Sequence, residues 1–204
     1  MLNFLKEKIA RPKLAKFVES HASGSYTLDL GCFDSPYSKY FPNRLGFDIA
    51  SGKGVDVVGD AHKLPFENEK FECILCTEVL KHLHSPHIGV KEMYRVLKPG
   101  GKLILSTRFN FPIHDAPGDY FRYTEFGLRH LFKEWKIESL QAETTNFETF
   151  ALLLQRLGFH YRKEERNILA VALFFFAKLL HFFTPKKYKK MPILTSGYYI
   201  ICRK

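Results

Sequence analysis

Cysteine is scarce: Cys32, Cys73, Cys76 and Cys202 are the four in a chain of 204 residues. Four cysteines cannot build a dense disulfide framework, and a reducing compartment is the simpler reading. Cys73-Ile-Leu-Cys76 has the spacing of a metal or redox pair, but it lies in an apolar run that reads as a strand. Residues three apart on a strand face opposite sides, so plain core cysteines are expected, and no metal site. No internal repeat, low-complexity tract, phosphate-binding P-loop or nucleophile elbow occurs. A spanning helix needs about 20 apolar residues; the apolar run from Ile168 to Phe183 has sixteen. Lys6, Glu7 and Lys8 interrupt the first apolar stretch before signal-peptide length, so a cytoplasmic location is expected.

What is present is a hydrophobic fraction of 46% and enough length for one domain over residues 1–204. The net charge of +10 is uneven: residues 155–204 hold 11 Lys/Arg against 2 Asp/Glu. A localised basic patch attracts an anionic surface more than diffuse charge does. Strands are expected at Tyr26–Gly31, Arg44–Asp48, Val55–Val58, Phe71–Cys76, Lys102–Thr107, Trp135–Glu143 and Leu194–Cys202. Helices are expected from Leu5 to Ser20, interrupted or kinked near Pro12, and through Val90, Met93, Tyr94 and Leu97 until Pro99-Gly100-Gly101 stops it. A short helix follows the N-cap Thr124, and an apolar, basic helical insertion spans 144–193. Strands alternating with helices imply an α/β, Rossmann-like, doubly wound and mostly parallel sheet, with ligand sites at the strands' carboxyl ends.

Four elements stand at those ends: Leu28-Asp-Leu-Gly-Cys32, Gly46-Phe-Asp48, Gly59-Asp-Ala61 and Arg95-Val-Leu-Lys-Pro-Gly-Gly-Lys102. Glycine permits close backbone approach to a nucleoside. Asp48, nineteen residues after Asp29, suits the acidic ligand of a ribose. Asp60 suits an exocyclic amine. In this order and spacing the four resemble the class I S-adenosylmethionine-dependent methyltransferases, in the small-molecule subgroup, over about residues 25–135. The resemblance implies seven strands with the last antiparallel, S-adenosylmethionine as cofactor, and a cofactor site of Asp29, Gly31, Cys32, Phe33, Asp48, Ile49, Asp60, Ala61, Thr77 and Glu78. One departure stands out: Phe33 and Ser35 occupy the places of the second and third loop glycines. A large side chain there disfavours positive φ and sits at the methionine end of the ligand.

The loop Phe111-Pro-Ile-His-Asp-Ala-Pro-Gly-Asp-Tyr-Phe-Arg-Tyr-Thr124 follows the fifth strand, beside the substrate end of the pocket. Methyl transfer from a sulfonium needs position and a route for the nucleophile's proton. His114, Asp115 and Asp119 are the available bases; Arg122 suits an anionic group on the substrate, with Tyr120 beside it. The alternative is that Asp119, Arg122 and Thr124 only tie the loop to the next helix. His82 and His84 read as the start of a loop before Pro86. No Asn/Asp-Pro-Pro-Tyr and no Pro-Cys pair follows the fourth strand, against amino- or C5-methylation of nucleic-acid bases.

The run 168–183 is flanked by Arg162, Lys163 and Arg166 on one side and by Lys186, Lys187, Lys189 and Lys190 on the other. It reads as a lid helix or dimer contact, or as an interfacial helix on an anionic membrane, with 160–192 as the contact. The expected activity is methyl transfer to a small or lipid-linked acceptor, in surface-polysaccharide or lipid biosynthesis. A non-catalytic binding protein that lost its cofactor through Phe33 is one alternative. An RNA methyltransferase is another, disfavoured because the aromatics form one block instead of interleaving with lysines.

Overall fold

In the computed structural model, residues 9–34, 36–163, 167–183 and 192–204 are described. Ser35, Arg166, Lys186, Lys187, Lys189, Lys190 and the stretch from Leu5 to Lys8 lie outside them.

Element order is α1 (Ala10–Glu19), β1 (Thr27–Leu30), β2 (Arg44–Asp48), β3 (Val57–Val58), β4 (Phe71–Thr77), α2 (Pro86–Val96), β5 (Leu97–Arg108), α3 (Glu125–Leu131), β6 (Lys136–Ala142), α4 (Asn146–Lys163), α5 (Asn167–Phe182) and β7 (Gly197–Arg203). The strands form one seven-stranded sheet in the order β3-β2-β1-β4-β5-β7-β6. β1 to β5 pair in parallel, and β7 runs antiparallel to both its neighbours. The sheet is therefore the expected α/β, doubly wound one with its last strand reversed.

Period-two alternation divides the core. Ile74 and Cys76 of β4, Leu103 and Leu105 of β5, and Ile200 and Cys202 of β7 pack on one face, with Met93 and Val96 of α2. Cys73, Leu75, Ile104, Tyr199 and Ile201 pack on the other, against Leu14, Phe17 and Val18 of α1. Cys73 and Cys76 thus sit in separate cores, as strand geometry requires.

Several boundaries differ from expectation. The described helix α1 begins at Ala10, and Pro12 lies in its first turn, where the missing N–H needs no partner. β3 is only Val57–Val58, because Val55 and Asp56 donate to Gly52 and Gly46 carbonyls in a turn. β7 begins at Gly197, since Thr195 and Ser196 are held by Thr144. β5 begins at Leu97 directly after α2, and Gly100 (φ +73°) gives the turn inside it. Thr124 caps α3 as expected, its hydroxyl accepting the Gly127 N–H at 3.0 Å.

Strand order reverses between β1 and β4, the place where a doubly wound sheet opens a crevice at its carboxyl edge. Two adjoining cavities of about 620 and 490 Å³ lie there, sharing Gly31, Phe33, Thr77, Glu78, Lys81 and His114 in their walls.

Candidate active site

The larger lobe is built by the turns after β1, β2 and β3. Gly31 leaves β1 at φ +72°, and a Cβ there would stand 2.1 Å from Val79 Cγ2, so no other residue fits. Phe33 follows at φ +41°. The loop thus keeps the left-handed turn of a glycine in spite of its side chain. The Asp48 carboxylate holds it there by accepting the Phe33 N–H at 3.0 Å, while Gly54 N–H donates to the Phe33 carbonyl at 2.9 Å. The ring is half exposed and packs over Gly52, lining the cleft without filling it.

Asp48 ends β2 with its second oxygen on the Ala50 N–H at 3.2 Å, and its remaining lone pairs face the lobe. Exposed Ile49, partly buried Val79, and buried Ala61 and Leu83 supply apolar walls. Asp60 accepts the backbone N–H of His62 and its Nδ1–H at 2.9 and 2.6 Å. That backbone bond, more than any other influence, holds the Asp60 carboxyl below its usual range. Two carboxylates and apolar walls around about 620 Å³ have the chemistry to take a nucleoside. Asp60, His62 and His84 bring ligand atoms within 4.8 Å of one another. Yet His62 gives Nδ1 to Asp60 and takes the Ser85 N–H on Nε2, so both its nitrogens are engaged.

The smaller lobe has a charged floor. Glu78 directly follows β4 at φ +64°, a strained angle, and lines the lobe. It accepts from Arg108 Nε at 2.6 Å, Ser106 at 2.9 Å and Lys81 Nζ at 3.3 Å. Burial alone would raise its pKa; the Arg108 and Lys81 charges outweigh burial and hold it below the ordinary value. Arg108 also pairs with buried Glu143, which Ser196 and Tyr199 support. Asp29, buried at the end of β1, stands 3.7 Å from Arg44. Cys32 donates to the Gly54 carbonyl, and burial, then the Asp29 charge, pushes its thiol up to about 11, an inert form.

His114 lies where the lobes meet. Asp115, at φ +60°, accepts from His114 Nε2 at 2.9 Å, leaving Nδ1 as the nitrogen able to take a proton. Burial lowers the His114 pKa below 6.5, against the pull of Asp115. Half-exposed Tyr120 lines the nucleoside lobe. Asp119 and Arg122 do not reach either cavity. They form a bidentate pair at 2.5 Å, and Arg122 also donates to the Phe111, Pro112 and Phe121 carbonyls. The pair ties the loop to itself, the alternative expected for these two residues beside the base and substrate roles. Sequence reading missed Lys81, Arg108, Glu143, Phe111 and Arg156. Lys81 carried a signal, three residues beyond Glu78; Arg156 carried none, because its place depends on how α4 docks.

A family model described as a methyltransferase domain matches residues 28–105. The Arabidopsis thaliana tRNA (carboxymethyluridine(34)-5-O)-methyltransferase is 36% identical over 108 residues, 47% of this chain and 27% of that protein. The demethylmenaquinone methyltransferase of Corynebacterium glutamicum is 37% identical over 86 residues, 41% of this chain and 36% of the relative. The chain therefore spans about a quarter to a third of the length of these curated relatives. Among solved structures, the Burkholderia thailandensis 1,6-didemethyltoxoflavin-N1-methyltransferase with bound S-adenosylhomocysteine superposes with a TM-score of 0.59 at 14% identity. The match covers 97% of this chain and 79% of that one and shows the fold. With the turn at Gly31, the carboxylates at Asp48 and Asp60 and the sheet order all in place, residues 28–105 are similar to a methyltransferase domain, and the fold is the one seen in solved methyltransferases.

Proposed function

We propose that the protein catalyses methyl transfer from S-adenosylmethionine to a small or lipid-linked acceptor, at oxygen or nitrogen. The observation that carries this is the continuity of the two lobes, with His114 at the junction between the nucleoside walls and the charged floor. When bound, the cofactor supplies a methyl group on a sulfonium, already electrophilic. The chain is left to position and to move one proton. Asp48 would hold the ribose hydroxyls, Asp60 the adenine amine, and the Gly31–Phe33 turn the amino-acid arm. His114 Nδ1 takes the proton of the acceptor's nucleophilic atom, and Asp115 on Nε2 orients the ring and stabilises the charge it gains. Thr77 and Glu78 form the wall shared by both lobes.

The lipid-linked form of this reading draws on α5. Ile168, Phe175, Phe176 and Phe182 are 90%, 56%, 54% and 81% exposed. No helix among the described residues is long and apolar enough to cross a membrane. An apolar face on a strongly basic segment suits an anionic bilayer surface.

Calorimetric titration with S-adenosylhomocysteine tests the cofactor site. Micromolar affinity is expected, falling at least about tenfold in Asp48→Ala through loss of charge-assisted hydrogen bonds. No binding at millimolar ligand would favour the non-catalytic alternative instead. Once an acceptor is found, kcat/KM is expected to fall on the acid side with a midpoint below 6.5, because His114 must be neutral to act. His114→Ala should abolish that limb; a limb unchanged in the variant would take the base role from His114.

A further inference from the structure

Four cations line the smaller lobe, Arg11, Lys81, Arg108 and Arg156, against three carboxylates, Asp29, Asp34 and Glu78. The pairing is unequal. Glu78 serves both Lys81 and Arg108, Glu143 serves Arg108 from behind, and Asp29 faces Arg44. Among the described residues Arg156 forms no ion pair. Its guanidinium instead sits 4.6 Å from the centre of the Phe111 ring, which also carries Arg108 at 4.7 Å. Two guanidinium groups on one ring repel, and a half-buried one without a carboxylate is an incomplete arrangement. Burial, and then the Arg108 charge, disfavours the charged form of Arg156. An oxyanion entering the lobe relieves both effects and gives the fork its planar partner.

We propose that Arg156, braced on Phe111, is the anchor for an oxyanion on the methyl acceptor, so that the acceptor is a carboxylate- or phosphate-bearing molecule. This rests on the methyl-transfer reading and narrows it. The group is anchored from α4, which lies outside the segment matched by the family model. α4 also packs against α5 through Gly158, where a Cβ would come within 2.9 Å of the Phe174 ring. The anchor and the exposed apolar face therefore belong to one helical pair. The same oxyanion chemistry is offered by a soluble acid or by a lipid phosphate.

The test is titration of the protein saturated with S-adenosylhomocysteine, using inorganic phosphate, benzoate and dioctanoyl phosphatidate in turn. At least one probe is expected to bind in the low-millimolar range or better, weakening about tenfold or more in Arg156→Gln and less than that in Arg156→Lys. S-adenosylhomocysteine is expected to keep its affinity within about twofold in both variants. Tighter binding of phosphatidate than of phosphate or benzoate assigns the lipid source; parity or the reverse assigns a soluble acid. Either result supports the subsite. If no probe binds to the loaded protein, or Arg156→Gln binds it unchanged, the subsite is wrong although methyl transfer stands. A tenfold loss of S-adenosylhomocysteine affinity in Arg156→Gln would move Arg156 to the cofactor. If the wild-type protein does not bind S-adenosylhomocysteine at all, the methyl-transfer reading fails, and the acceptor subsite with it.

Discussion

Phe33 shows how a local rule is broken and contained. Left-handed backbone costs a non-glycine residue about 1–2 kcal/mol, and the loop keeps it because Asp48 and Gly54 fix both sides of the peptide. Asp48 therefore has two duties, loop geometry and the nucleoside. Asp119 is a contrasting case. Its hydrogen bonds to Arg122, ahead of any other influence, bring its pKa down to about 2. A carboxylate depressed in the folded state stabilises above its unfolded pKa near 4 and stops doing so as pH falls through about 2. Asp119→Asn is expected to cost about 1–2 kcal/mol at pH 7. The difference in Tm from wild type should shrink between pH 4 and pH 2; a gap constant across that range would contradict the assignment. Charges in a loop announce themselves in sequence, but whether they face a ligand or each other is settled only by the fold. The three-residue spacing of Asp119 and Arg122 permits the pair but does not dictate it.

Elements were more legible than side-chain roles. Alternation in β4, β5 and β7 reports burial on both faces, and strand geometry alone puts Cys73 and Cys76 in different cores. The Thr124 cap was readable because its hydroxyl acts within one turn. The charged seam among β4, β5 and the residue after β6 was not, since Glu78, Arg108 and Glu143 are brought together from separations of 30 residues or more by strand pairing alone. That seam is buried and mutually dependent. Arg108→Met would leave buried Glu143 without its cation and Glu78 with Lys81 alone, and is expected to cost about 3–5 kcal/mol. Glu143→Gln, which keeps acceptors for Ser196 and Tyr199, should cost less. Thermal unfolding of the two variants tests the order; equal losses would mean the seam is not held by Arg108.

At the scale of the whole molecule, charge and apolar surface coincide on the segment between β6 and β7. Flotation with vesicles containing anionic lipid should carry the protein upward at low salt and less so at 0.5 M salt, where exposed charges about 4 Å apart already feel screening. Phe176→Asp with Phe182→Asp should leave it in the dense fraction. Flotation indifferent to both substitutions would remove α5 from any membrane contact, and salt-sensitive capture of RNA in its place would revive the nucleic-acid alternative.

The position of β7 has a kinetic consequence. It lies between β5 and β6, yet Lys102 of β5 meets Arg203, about a hundred residues away in the chain. Until that distant segment arrives, Leu103, Ile104 and Leu105 stand on an open sheet edge, the kind of template on which chains join one another. Loop-closure entropy makes such non-local pairing slow. Folding speed in this protein should be governed by capture of β7, and aggregation should compete with it most strongly when the protein is concentrated before that step is complete.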